Sequence, residues 1–189
     1  MGAALAVDLP PVAAPVVDDQ ALIDATLTGL SDAFGELVTR YERAVYNLAL
    51  RTLHDRTEAE DAAQEAFFKA YRALNTFRPG AKFSTWIFTI CYRGCCDRLA
   101  KRKRLSGDEL PDHADPSAGP EAQAERSDDA YRLRSAIDAL PEKYRTVVTL
   151  YHLQGKQYEE IATVLNLPLG TVKTHLFRAK EQLRKALTL

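Results

Sequence analysis

The chain has 189 residues, 46% of them hydrophobic, and its 25 basic and 26 acidic side chains leave a formal charge of −1. That length buries one ordinary core or two small ones, and the balanced charge excludes a protein that adheres indiscriminately to polyanions. Residues 1–20 lack a basic n-region and no apolar run approaches the ~18 residues of a membrane span, so the reading is a soluble, cytoplasmic protein.

In chain order, residues 1–30 read as a flexible tail, with prolines at positions 10, 11 and 15 breaking any regular element. From Asp32 to Leu53 the apolar residues Phe34, Leu37, Val38, Tyr41, Val45, Leu48 and Ala49 recur at three and four, which predicts an amphipathic helix. Thr57 with Glu60 fits a capping box for a second helix that runs in strong helix formers to Leu74. Arg78-Pro79-Gly80 predicts a loop, and Ser84 is placed to cap a third helix through Arg104. Residues 105–130 combine Gly, Pro and acids, the composition of a linker, and these 26 residues reach at most ~90 Å. Beyond it the pattern is helical again: Leu133 to Leu140, Glu142 to Tyr151 after Pro141, Tyr158 to Leu165, and Pro168 to Leu187. The expected fold is all-α, with small helical domains over 31–104 and 131–189.

Charge is distributed unevenly over this plan. Lys69 to Arg104 holds ten Lys or Arg against the single acid Asp97, residues 105–130 hold eight acids and one base, and 131–189 hold ten bases and five acids. Two basic blocks flanking an acidic connector suit two-point contact with one polyanion. The first block interleaves its cations with Phe77, Phe83 and Trp86, and aromatic faces stack on unpaired bases while cations track phosphates. Trp86 lines up at ~100° per residue with Arg93, Asp97, Lys101 and Arg104; it reads equally as core or as contact, and the loop 77–83 is the better candidate base pocket. The polar stripe below it reads as a strand contact or as a solvated face.

The second block ends in QYEEIATVLNLPLGTVKTHLFRAKEQL (157–183), a short helix, a tight turn at Asn166 to Pro168 and a longer helix, the punctuation of a helix-turn-helix. Ile161, Ala162, Leu165, Val172 and Leu176 would hold the two helices together. Lys173, Thr174, Phe177 and Arg178 would face outward to enter a major groove, and His175 would reach either a phosphate or a base edge. Cys91, Cys95 and Cys96 crowd into one helical stretch without the spacing of a metal site and read as small buried residues. Neither a catalytic constellation nor a cofactor motif is evident.

Taken together, the two blocks resemble the extracytoplasmic-function family of bacterial RNA polymerase sigma factors, over about residues 31–188. DRTEAEDAAQEAFFKAYRAL (55–74) resembles region 2.2, which implies that Asp61, Gln64, Glu65, Phe67 and Phe68 bind the β′ clamp helices of core polymerase. FRPGAKFSTWIFTICYRGCCDRLAKRKR (77–104) resembles regions 2.3 and 2.4. That likeness implies that Arg78, Lys82, Phe83, Ser84, Trp86, Arg93, Asp97, Lys101 and Arg104 capture and hold the opened minus-ten element. Residues 140–183 resemble region 4, implying minus-thirty-five contacts from Thr171, Lys173, Thr174, His175, Phe177 and Arg178 and a docking site on the β flap. Arg93 stands where relatives often carry Asn, the Cys95-Cys96 pair is unusual, and His175 stands where Arg is frequent, so promoter sequence does not transfer from relatives. The resemblance further implies a stress-responsive factor, not an enzyme, held by an anti-sigma factor. The competing reading is an autonomous helix-turn-helix regulator, which would need neither the 2.2-like helix nor the aromatic-basic loop.

Overall fold

The computed structural model describes residues 18–106 and 128–187. Every regular element among them is helical, and none of the helices is long and apolar enough to cross a membrane. The tail before residue 18 and the linker between 107 and 127 lie outside the described residues.

Four helices build the first domain. Helix α1 (Asp19–Leu27) lies within the stretch expected to be tail. Its Leu22 and Ile23 are buried, and Asp19 accepts hydrogen bonds from Arg40 and Tyr41 of α2 (Ser31–Leu53). The prolines that break the sequence pattern all precede this segment, and a nine-residue helix with two anchoring apolar residues gives too weak a periodic signal to read in isolation. Helix α2 buries Leu37, Val45, Leu48, Ala49 and Leu53 on one face and ends at His54, whose φ of 59° tightens the chain into the next helix.

Helix α3 (Arg56–Arg72) is capped two residues earlier than the capping-box pattern suggested. Asp55 accepts the Glu58 amide at 2.8 Å, a contact worth about 1 kcal/mol against alanine, and Thr57 lies exposed inside the first turn. The inner face of α3 is built from Ala59, Ala62, Ala63, Ala66 and Ala70 with one large residue, Phe67. Small side chains let α2 and α4 approach closely from either side. A short 3₁₀ turn (Leu74–Thr76) and a loop follow, with Gly80 at φ 84°, where a side chain would be strained. Helix α4 (Phe83–Ser106) begins at Phe83, so Ser84 lies in its first turn and is not its cap. It buries Ile87, Phe88, Cys91 and Cys95 against α2 and α3.

The second domain comprises α5 (Asp128–Asp138), α6 (Glu142–Val148), α7 (Tyr158–Leu165) and α8 (Leu169–Leu187). Helix α5 starts inside the stretch read as linker. The β-branched run Thr146 to Tyr151 is helical, as its period indicated, but widens after Val148 into a π turn over Thr149–Leu153. Gly155, at φ 61°, then reverses the chain and lets the Lys156 amide reach the Leu150 carbonyl at 2.9 Å. Ile161, Val164, Leu165, Val172, Leu176 and Ala179 close the core with Tyr144, Val147, Val148 and Leu150.

Candidate nucleic-acid and protein interfaces

Three surfaces carry the residues singled out by sequence. On α3, Asp61, Gln64 and Phe68 face outward and, with Glu65 and with Arg98 from α4, line a shallow depression. Glu65 bridges the helices: its carboxylate meets Lys69 at 2.8 Å and Arg98 at 2.7 Å, and these hydrogen bonds hold its pKa below the usual glutamate value. Phe68 is 61% exposed, with the Arg72 guanidinium 5.6 Å from its ring centroid, within cation–π range. Phe67 points the other way and is buried in the core. Of the adjacent pair only Phe68 is exposed to solvent, because neighbours on a helix differ by ~100°.

The aromatic-basic segment divides similarly. Phe83, expected to line a base pocket, is 1% exposed. Its ring lies 5.5 Å from Tyr41, 6.1 Å from Phe77, 5.8 Å from Trp86 and 6.4 Å from Phe34. Because α4 begins at Phe83, the side chain turns into the helix interface and becomes the hub of an aromatic cluster. Trp86 stands at the boundary, half-buried and edge-on to Phe77 at 5.3 Å. Arg78 and Lys82 are exposed on the loop, and Arg93, Asp97, Lys101 and Arg104 form an exposed stripe down α4. Not every cation in the block faces solvent: Arg98 pairs with Glu65, and Arg102 lies 3.8 Å from Glu58. The local charge that DNA would meet is therefore smaller than the sequence count.

Cys91 and Cys95 are buried and Cys96 is partly buried. The Cys91 Sγ donates toward the Val45 carbonyl at 3.7 Å, and contact with Cys95 together with burial pushes its thiol pKa up. No cluster of metal-ligating residues occurs among the described residues.

In the helix-turn-helix, Asn166 takes the left-handed conformation at φ 52° and ends α7. Glu160 accepts the Gln157 amide at the other end of that helix, at 3.0 Å. On α8, Lys173, Thr174, Phe177 and Arg178 face outward, Phe177 being 68% exposed, while Thr171 is partly buried. The Thr174 hydroxyl is turned back onto the Gly170 carbonyl at 2.9 Å. Arg178 reaches toward the Tyr144 hydroxyl at 3.4 Å. His175 leans inward, edge-on to the Tyr144 ring at 5.4 Å, with its Nδ1 buried. Burial, with Lys143 and Arg178 nearby, lowers its pKa.

Contacts between the domains had no signature in the sequence. Lys156, 7% exposed, donates to the Ser84 hydroxyl, lies 5.2 Å from the Phe88 ring centroid and 3.7 Å from Glu160. Burial lowers its pKa, and Glu160 partly offsets that shift. The Glu160 carboxylate accepts from the Thr85 hydroxyl at 2.8 Å and stands 3.4 Å from Lys82. Burial opposes its charge, but the Gln157 amide, Thr85, Lys156 and Lys82 outweigh that and lower its pKa. Arg51 of α2 pairs with Asp138 of α5 at the far end of the contact.

Residues 37–105 match the family model for sigma-70 region 2, and residues 130–183 that for sigma-70 region 4. RNA polymerase sigma-H factor of Pseudomonas aeruginosa is 38% identical over 89% of this chain and 93% of its own length. SigW of Bacillus subtilis is 37% identical over 84% and 91%, and the sigma-E factor of Escherichia coli K12 is 35% identical over 86% and 91%. Among solved structures, CnrH in complex with the cytosolic domain of CnrY superposes with a TM-score of 0.65 at 26% identity, covering 90% of this chain and 97% of that one. RpoE of Bartonella quintana in complex with the anti-sigma factor NepR superposes with a TM-score of 0.71 at 24% identity, over 82% and 97%. With both regions present in order and relatives matched along nearly their whole length, the chain belongs to the extracytoplasmic-function family of RNA polymerase sigma factors.

Proposed function

We propose that the chain joins core RNA polymerase through the outer face of α3, melts and holds the minus-ten element along α4, and reads the minus-thirty-five element with α8. The observation that carries this division of labour is the exposed Phe68 ring, set beside Asp61 and Gln64 on the opposite side of α3 from its alanine-lined core face. An aromatic anchor with a polar rim is the anatomy of a protein-binding hot spot. In this reading Trp86, with Arg78 and Lys82, replaces Phe83 as the group that meets an unpaired base, and Arg93, Lys101 and Arg104 follow the strand. Lys173, Thr174, Phe177 and Arg178 are the groove-facing set, and His175 supports them from below. The β′ clamp helices are the assigned partner of α3, and the β flap that of the second domain.

The protein works in the cytoplasm and performs no covalent chemistry of its own. An anti-sigma factor holds it until a stress signal arrives; support comes from the similar structures, which are those of sigma factors captured with CnrY and with NepR.

Run-off transcription by core polymerase on a promoter fragment library tests the reading. Transcripts that appear only with the wild-type chain, and are lost with Phe68→Ala and with Arg178→Ala, are expected. Tight duplex binding without polymerase, together with no polymerase association, would instead make the second domain the reader of an autonomous regulator.

A further inference from the structure

The polar side chains that α8 turns outward differ in what holds them. Lys173 takes part in no hydrogen bond or ion pair among the described residues, and the Thr174 hydroxyl bonds its own helix at the Gly170 carbonyl. Arg178 is tied to another helix. Its Nη1 donates to the Tyr144 hydroxyl of α6 at 3.4 Å, the long end of hydrogen-bond range, and the contact joins positions 34 apart.

Tyr144 is itself fixed. It lies in the first turn of α6 and is 6% exposed, with the Lys143 ammonium 5.2 Å from its ring centroid and the His175 ring edge-on at 5.4 Å. His175 and Arg178 are three apart on α8 and so share the face turned toward this ring. A phenol buried this far needs a partner for its hydroxyl, and the Arg178 guanidinium is the side chain that reaches it. A guanidinium is planar, with its five N–H donors in a fixed fork. With Nη1 on the phenol, Nε and Nη2 remain to meet a guanine O6 and N7 together. An arginine already held in one orientation also loses less rotamer freedom when it binds.

We propose that Tyr144 is a positioning residue for base readout: its hydroxyl sets the Arg178 guanidinium in the orientation that meets a guanine edge, and Lys143 and His175 brace the ring. The proposal rests on the assignment of Arg178 to the groove. It gives the inward lean of His175 a role, as support for the ring against which Arg178 is set. Tyr144 does not touch DNA and acts through Arg178 alone.

The test uses the full chain carrying Tyr144→Phe, which keeps the ring with its contacts to Lys143 and His175 and removes only the hydroxyl. Tm should therefore change by no more than about 4 °C. The first readout is nitrogen relaxation of the free chain, in which the order parameter of the Arg178 Nε–H should fall in the variant toward the flexible range, below ~0.6. The second is base preference at each upstream position, read by sequencing the templates in a promoter fragment library that yield run-off transcripts with core polymerase. Tyr144→Phe should relax the preference by about 3- to 10-fold at the position that Arg178→Ala relaxes, and leave the other positions as they are. In an Arg178→Ala background it should have no further effect, whereas damage to packing would add. An unchanged order parameter, an unchanged base preference, or an equal loss at every position would overturn the positioning role. A wild-type chain that yields no transcript, with an order parameter that still falls in Tyr144→Phe, would reject the groove assignment while the restraint on Arg178 stands.

Discussion

Substituting Phe83 by alanine separates a core role from a DNA-contacting one. Its ring is 1% exposed and touches Phe34, Tyr41, Phe77 and Trp86 at centroid distances of 5.5 to 6.4 Å. Removing a buried phenylalanine withdraws about 150–250 Å² of buried surface, or ~4–6 kcal/mol at ~25 cal/mol/Å², and measured Phe→Ala changes in cores cost about 3–5 kcal/mol. Partial collapse of Trp86 and Tyr41 into the space favours the lower end, so about 3 kcal/mol is expected. For a domain of this size each kcal/mol lowers Tm by about 4–8 °C, and the first domain should therefore melt at least about 12 °C earlier. The assay is thermal unfolding followed by circular dichroism, with run-off transcription at a temperature where the variant is still folded. There the variant should retain activity, and Phe83→Leu, which refills most of the volume, should recover most of the stability. A variant with unchanged Tm and no promoter opening would refute the argument, because Phe83 would then act on DNA and not on the core.

Other expectations follow from exposure and charge. Phe68→Ala should weaken binding to core polymerase by at least about 30-fold, as for a hot-spot aromatic, with Tm unchanged within a degree or two; normal binding in a pull-down titration would remove Phe68 from the interface. Arg178→Ala should cost ~1–3 kcal/mol in duplex affinity at the upstream element while leaving polymerase association intact, and equal loss on every duplex sequence would mark it as a phosphate contact instead. His175 should make the second domain acid-sensitive. Its folded pKa is lowered by burial and by Lys143 and Arg178, so the unfolded chain binds the extra proton first. Stability is then complete above the ordinary histidine pKa of ~6.5 and falls as pH drops from there toward the folded value. His175→Phe should flatten the Tm profile between about pH 7 and 5 relative to wild type, and an identical slope would assign the titration to His54 or His152, whose pKa values are also lowered.

Much of the protein is legible in the amino-acid sequence alone. Apolar spacing locates α2, α7 and α8, the turn around Asn166 marks the helix-turn-helix, and the order of an acidic-aromatic helix, a basic aromatic stretch and a second DNA-reading block carries the family. These are local signals, because periodicity, caps and charge runs depend on residues a few positions apart. The direction of individual side chains is not local in this sense. Phe67 and Phe68 are chemically identical neighbours, and only the packing of α3 between α2 and α4 buries one and presents the other. Phe83 has the spacing of a loop aromatic, and it becomes a core residue because α4 starts there and turns it into the helix interface. His175 has the pattern of a surface residue, and Tyr144 from another helix draws it inward. The pairing of Lys156 and Glu160 with Ser84 and Thr85 joins positions more than 70 residues apart. No local pattern encodes such a contact; it exists only where the tertiary fold brings the start of α7 against the first turn of α4.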